Sequence, residues 1–375
     1  MGFKFHWTWS RVILLLIMAV GAIATFLRYS QGLGASTNLS DSYPWGLWIA
    51  FDVLCGVALA AGGFTAAATV YIFNLKKYHA IVRPAVLTGF IGYFLVAVGL
   101  LYDLGRPWFI WHPIIMWQHH SVMFEVAWCV MLYLTVLFLE FCPVIFERFR
   151  LEGALRVIHA CTIPLVIMGI ILSTLHQSSL GSLFLIVPGK LYPLWYSPFL
   201  PVFFFTSAVA VGLAMIVVES TLSSLAFKRG LETPLLADLT KALPFILVFY
   251  FVIKIADLAA RGSLSLLFNG SYESISFLAE LAIGVIVPAS ILSFRNLRQQ
   301  TVWQFLSCLM VVCGVVLNRI NVCLIGMSRS AGQGYVPAWT EFSITLALVS
   351  FGVMAYIWIT ENFPVFEDHG DKAGA

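Results

Sequence analysis

Asp103, Arg106, His112, Trp117, His119, His120, Ser121 and Glu125 fall within one 23-residue stretch of an otherwise apolar chain. Charge held at membrane depth costs on the order of 3 kcal/mol per residue, so it is usually retained for chemistry or for pairing. Histidine titrates near neutrality and can donate to a carbonyl oxygen or relay a proton. Asp103 and Arg106 stand three apart, which suits either a helix-end ion pair or the rim of a polar pocket. Glu125 follows Ser121 by one helical turn and enters the next apolar run as a buried carboxylate. It lies about 6 Å deep, with Cys129, Tyr133 and then Glu140 about 22 Å further along the same helix. Such a group suits the receipt and passage of protons; the plainer reading is a glutamate bonded to a neighbouring helix.

A second set lies further along. Glu219 and His159 sit near the inner ends of their apolar runs and could extend an inward route for protons. Lys254, Asp257 and Arg261 fall at i, i+3 and i+7, one face of a helix, where the bland outcome pairs Lys254 with Asp257. Asp52, His176, Glu280 and Arg319 also need buried partners. Together these residues imply a hydrated, protonatable interior weighted toward one side of a membrane.

The elements that must position them are helices. The chain has 375 residues, 61% hydrophobic and 10% charged, against roughly 25% charge in soluble domains. A helical span needs about 20 apolar residues. The chain offers ten such runs, near 11–28, 47–74, 82–102, 121–142, 155–178, 199–225, 236–260, 274–293, 301–325 and 340–360. They are too long for barrel strands, which predicts an all-α integral membrane protein. Fourteen Lys and Arg residues, among them Lys4, Arg229 and Lys372, fall on one side of these runs and five on the other, with Lys254 and Arg319 inside. The excess marks the cytoplasmic side, so both termini are expected there and the 103–120 connection outside. The first run follows Lys4 and Arg11 and has features of a signal peptide, but its retention as a span is the expectation. The net charge of +3 belongs to the inner loops and reflects topology, not nucleic-acid binding.

The outward connections, about 29–46, 103–120, 179–198 and 326–339, are aromatic and rich in Gly and Pro. They suit interfacial anchoring singly and a docking surface together. Asp103 and Asp257 are 154 residues apart, and Glu125 and Glu280 are 155 apart. The offset suggests two related four-helix bundles, 47–178 and 199–325, flanked by single spans at 11–28 and 340–360. Small residues four apart (Gly56/Ala60, Gly62/Ala66, Gly63/Ala67) predict close helix approach in the second span. The seven cysteines form no C-x-x-C pair or ferredoxin run and read as small apolar residues, with no iron–sulfur cluster in this chain. A b-type haem wants axial histidines on facing helices, whereas His159 and His176 share one run. No zinc spacing, phosphate loop or dinucleotide fingerprint appears, so no metal is expected.

Three segments carry a family resemblance: Trp45-Gly46-Leu47-Trp48-Ile49-Ala50-Phe51-Asp52, Asp103-Leu104-Gly105-Arg106-Pro107-Trp108, and Ser121-Val122-Met123-Phe124-Glu125-Val126-Ala127-Trp128. They resemble the NrfD/PsrC family of polysulfide reductase membrane subunits, most closely its HybB-type branch in membrane-bound [NiFe] hydrogenases. The resemblance implies a haem-free quinone-reactive subunit in the bacterial inner membrane with its active face toward the periplasm. Its implied partners are a periplasmic four-cluster [4Fe-4S] ferredoxin-like subunit and hydrogenase large and small subunits. Its substrate would be menaquinone or ubiquinone, held near the outer ends of the second to fifth spans. Carried over by resemblance, Asp52, Asp103, His119, Glu125 and His176 are candidate pocket or proton-handling positions. Glu125, Asp103 and His119 would be catalytic, with Arg106, His112, Trp117 and Ser121 as further quinone contacts. Tyr133, Glu140, Glu219, Lys254 and Asp257 are candidates for a proton pathway. Two other classes compete: a secondary transporter built from paired repeats, and a passive membrane anchor for a periplasmic redox complex.

Overall fold

The computed structural model describes residues 3, 5–187, 189–228, 230–231, 233–332 and 334–366. Lys4, Arg229 and Lys372 of the charge count lie outside the described residues. Among the described residues, ten helices are long and apolar enough to cross a membrane: spans 1 to 10 at Trp9–Gln31, Trp48–Ile72, Lys76–Asp103, Val122–Phe149, Thr162–Leu183, Leu200–Phe227, Thr233–Ala260, Tyr272–Ser293, Thr301–Ala331 and Trp339–Asn362. The protein is therefore an all-helical, multi-pass membrane protein, as the apolar runs predict. An even number of spans brings both ends of the chain to one side, and there Arg11 of span 1 pairs with Glu361 of span 10. We call this the termini side and its opposite the far side.

Spans 2 to 5 form one ring: span 2 packs on 3, 3 on 4, 4 on 5, and 5 closes on 2. Spans 6 to 9 form a second ring in the same manner. The rings join through spans 2, 5, 6 and 9, while spans 1 and 10 pack together and lean on spans 2 and 3. Spans 2 and 6 are the most buried, and span 1 the least. Apolar side chains on span 1 such as Leu16, Ile23 and Phe26 are exposed, as a lipid-facing helix requires. Without a hydrophobic drive between helices in lipid, close packing has to come from small residues. A Cβ at Gly62 would lie 3.5 Å from the Gly212 carbonyl oxygen of span 6, and one at Gly63 3.7 Å from Gly89 Cα of span 3. Spans 8 and 9 approach more closely still, with a Cβ at Gly314 falling 2.0 Å from Gly284 Cα.

Several spans depart from regular α-helix where polar residues must be aimed inward. Span 9 widens into a π-helical turn at Asn321–Ile325, just after Arg319. The wider turn shifts the register of the helix face, and Asn318, Arg319 and Asn321 are all buried. Span 8 makes a similar turn at Ala282–Ile286 ahead of Pro288, whose missing N–H would interrupt a regular ladder. The fifth apolar run is broken at Cys161, so Glu152–Ala160 forms a separate short helix before span 5. His159 is therefore exposed on that short helix and not within the membrane span, which corrects the sequence expectation.

Candidate functional site

The far end of span 4 begins at Ser121, whose hydroxyl accepts from the Phe124 N–H at 3.4 Å and caps the helix. Glu125 stands in the first turn, where a carboxylate complements the helix dipole. Its expected burial is not found: Glu125 is exposed, at the rim of the first ring, because it sits a single turn from the helix end. It is nevertheless fixed, since Ser179 Oγ of span 5 donates to Glu125 Oε1 at 2.5 Å. His119 and His120 are exposed beside each other in the preceding connection, their rings 4.0 Å apart. Trp117 is also exposed but packs on Phe124 and Trp128 at 5.6 and 5.1 Å, and Trp128 Nε1 donates to the Pro113 carbonyl at 2.8 Å. These contacts fold the connection back over span 4. His112 lies between Phe109 and Trp111, with ring separations of 4.5 and 4.4 Å.

One turn before Ser179 on span 5, His176 is wholly buried, and its Nδ1 shares a 3.0 Å hydrogen bond with Tyr93 OH of span 3. Tyr93 meets Tyr133 of span 4 edge-on at 4.6 Å. Ser173, one turn further along span 5, lies beside both phenols. His176 Nε2, Tyr133 OH, Ser173 Oγ and Gln177 Oε1 are buried without a protein partner. Buried polar atoms are seldom left unpaired and usually find ordered water or a ligand.

Asp52 and Asp103 face another quarter, toward spans 1 and 10. Thr345 of span 10 donates to Asp52 Oδ2 at 2.7 Å. Asp103 Oδ1 and Trp48 Nε1 are buried without partners. The ion pair considered for Asp103 and Arg106 does not form: Arg106 is exposed, and the cation facing Asp103 is the buried Arg28 of span 1. Arg28 also ties down the end of span 3 through the Tyr102 and Leu104 carbonyls, at 2.9 and 2.8 Å. Arg28, one of the five Lys and Arg residues on the far side, gave no sign of this role in the sequence, because its hydrogen-bond partners are backbone carbonyls that leave no pattern.

The second ring holds a paired charge network, in which Arg319 Nε and Asn321 Oδ1 are nevertheless buried without partners. Lys254 pairs with Glu280 at 2.6 Å and not with Asp257, since Glu280 of span 8 faces it across the ring. Asn318, Asn321 and Trp195 also donate to Glu280, at 3.0, 2.8 and 3.1 Å. Asp257 is instead paired with Arg261 at 2.7 Å and accepts from Ser197 at 2.9 Å. Arg319 is buried against the Phe204 ring, 3.7 Å from its centroid, and donates to Ser207 and Asn318. Glu219 of span 6 accepts from Tyr356 of span 10 at 3.0 Å. The candidates thus separate into a far-side rim and column in the first ring, an acidic pair of residues facing spans 1 and 10, and a paired network in the second ring.

A family model described as "Polysulphide reductase, NrfD" matches residues 35–330. The chain belongs to the NrfD family. A protein of Nitratidesulfovibrio vulgaris (strain Hildenborough) is 41% identical over 98% of this chain and 96% of its own length. The "Probable Ni/Fe-hydrogenase 2 b-type cytochrome subunit" of Escherichia coli K12 is 33% identical, covering 90% of this chain and 87% of that one. The "Menaquinone reductase, integral membrane subunit" of N. vulgaris is 28% identical, over 94% and 90% respectively. This NrfD protein is accordingly a membrane subunit of the kind found in oxidoreductase complexes, and its far-side polar column belongs to the segment the family model covers.

Proposed function

We propose that this NrfD protein is a quinone-reactive subunit of the bacterial inner membrane, passing electrons between a partner iron–sulfur protein and the quinone pool. The far side then faces the periplasm, in keeping with the basic connections on the termini side. The partner set is a four-cluster ferredoxin-like subunit with a catalytic pair, for which a [NiFe] hydrogenase is the leading choice given the relative from E. coli. Menaquinone is the favoured quinone because one relative is named a menaquinone reductase subunit.

The observation that carries the reading is the Glu125–Ser179 pair at an exposed rim, one helical turn from His176, whose Nε2 is buried and unpartnered. A quinone carbonyl needs a hydrogen-bond donor, and its reduction needs two electrons and two protons. His176 can donate from Nε2 while Nδ1 accepts from Tyr93, and Glu125 at the rim can deliver a proton. His119, in the connection that leads into span 4, is a further donor, whereas Asp103 faces the other quarter, toward Arg28 of span 1. A haem does not fit the donor set. His176 is the one buried histidine among the described residues, and the facing span 3 presents Tyr93 where a second axial ligand would be needed. We therefore read the chain as haem-free despite the "b-type cytochrome" wording attached to one relative.

The test is Glu125→Gln in the complex isolated with its partner subunits. Quinone-linked turnover should fall by about a hundredfold, the size of a lost general acid, while dye-linked activity of the partner stays unchanged. Full quinone turnover in the variant would remove Glu125 from the mechanism.

A further inference from the structure

We infer that the termini-side mouth between spans 7 and 8 binds the phosphodiester headgroup of an anionic membrane phospholipid. The inference needs only the multi-pass membrane fold and is independent of the quinone reading. A groove of about 350 Å³ opens there, lined by Thr233, Asp238, Lys241, Arg295, Arg298 and Gln299, among others. That volume falls in the roughly 300–1,000 Å³ range of small-ligand sites. Both walls come from interruptions of the helices. Span 7 breaks after Leu239 and resumes at Leu243, which sets Lys241 in the gap. Span 8 ends at Ser293, and a single helical turn, Arg295–Arg298, leads on to span 9.

The charges around the groove do not balance. Among the described residues Asp238 is the one carboxylate in its lining, and it accepts from Lys241 and, at 2.5 Å, from Lys77 of span 3. Two ammonium groups thus share one carboxylate. Arg298 donates to the Leu292 carbonyl at 2.8 Å, which pins the turn against the end of span 8 and leaves most of its five N–H groups open. Arg295 is exposed and has no hydrogen-bond or ion-pair partner among the described residues. Guanidinium forks match phosphate oxygens two at a time, and Thr233 and Gln299 can add neutral donors. A basic pocket between helix ends at a membrane surface suits an acidic lipid headgroup.

An apolar rim favours a lipid over free phosphate. Phe294, next to Arg295, is 63% exposed, and Phe245, four residues past Lys241, is 78% exposed. Val302 and Trp303 are exposed at the start of span 9, and a tryptophan in such a place suits the headgroup layer. Phosphate in solution would use the cations and gain nothing from these side chains. A phospholipid uses both, with its acyl chains along the lipid-facing side of span 7, where Val248, Phe249 and Val252 are exposed. A zwitterionic headgroup brings its own ammonium close to Arg295 and Lys241, and their repulsion selects against it.

The full-length chain, purified with its partner subunits in a neutral detergent, is titrated with phosphatidylglycerol or phosphatidylcholine, and bound lipid is counted by native mass spectrometry. Phosphatidylglycerol should bind at least tenfold more tightly than phosphatidylcholine, and millimolar inorganic phosphate should not displace it. Arg295→Gln leaves no protein group unpaired and should weaken phosphatidylglycerol binding about fivefold, the effect of one cation beside an anionic headgroup. Adding Lys241→Gln should bring the loss beyond tenfold, while Arg295→Lys should keep most of the affinity. Arg156→Gln, which removes an exposed cation on the same side but outside the groove, should change nothing. Equal binding of the two lipids, or wild-type binding in the double variant, overturns the site. An equal loss in Arg156→Gln reduces it to general surface charge, and displacement by inorganic phosphate makes it a free-anion site; either result overturns the lipid assignment.

Discussion

Lys254→Met should be among the most destabilising single changes in the chain. Lys254 Nζ lies 2.6 Å from Glu280 Oε1, and the two residues are 5% and 3% exposed. The ammonium also lies over the Phe277 ring at 4.5 Å. Removing it leaves Glu280 charged in the membrane interior with only the neutral donors Asn318, Asn321 and Trp195. Breaking one partner of a buried pair costs about 3–5 kcal/mol. For a chain of this size that corresponds to a fall in apparent melting temperature of roughly 4–6 °C. Removing both charges relieves the orphan, so Lys254→Met with Glu280→Gln should recover most of the loss. The assay is thermal unfolding of the detergent-purified complex for wild type, both single variants and the double variant. Additive losses, or a Lys254→Met protein as stable as wild type, would show that Glu280 is held by its neutral donors alone.

Two further outcomes follow from the packing. Gly314→Ala should destabilise by about 1–3 kcal/mol through overpacking, since its Cβ would fall 2.0 Å from Gly284 Cα, whereas Gly105→Ala, with nothing within 4 Å, should be neutral in the same unfolding assay. Burial pushes the phenols of Tyr43 and Tyr335 up from their ordinary value; Tyr43 donates to the Leu324 carbonyl and Tyr335 to Glu341. A folded state that keeps these protons contributes stability below pH about 10, where the unfolded phenols are neutral. That contribution should fall away as pH rises above 10 toward the raised values, and Tyr43→Phe should flatten the decline; a decline unchanged in Tyr43→Phe assigns it to other groups.

The spans were legible because twenty-residue apolar runs admit one reading in lipid; their grouping was suggested only by the 154- and 155-residue offsets between acidic residues. Pairing was not legible. Lys254 and Asp257 share a helix face three residues apart, yet each prefers a partner from another element, Glu280 in span 8 and Arg261 at the end of span 7. Local spacing describes which groups share a face and says nothing of what stands opposite. Glu125 was read as buried although the expected run, 121–142, begins at the Ser121 cap; a single turn inside the helix end is not deep enough, and Glu125 stays exposed at the rim. Tyr93, Ser173 and Ser179 carried no signal of their own, since serine and tyrosine in an apolar run look like ordinary packing or backbone-bonded residues. Arg28 and the π-helical turn after Arg319 were hidden for a related reason: both are backbone effects.

The contrast between the rings gives a physical reason to place chemistry in the first. If the 154- and 155-residue offsets reflect an ancient duplication, Asp103 corresponds to Asp257 and Glu125 to Glu280. Asp257 is clamped by Arg261 and Ser197, and Glu280 by Lys254, two asparagines and a tryptophan. Their counterparts are left open: Asp103 keeps an unpartnered buried oxygen, and Glu125 has a single serine donor at an exposed rim. A carboxylate already bound by a cation and several donors is poorly placed to exchange protons, because every exchange must first break those bonds. One with a single neutral donor can exchange readily and can turn to a ligand. The contrast is therefore one of carboxylates: Glu280 ties spans 7, 8 and 9 together through Lys254, Asn318 and Asn321, while Arg319 Nε and Asn321 Oδ1, unpartnered in that ring, belong to cationic and amide groups that do not exchange protons near neutrality.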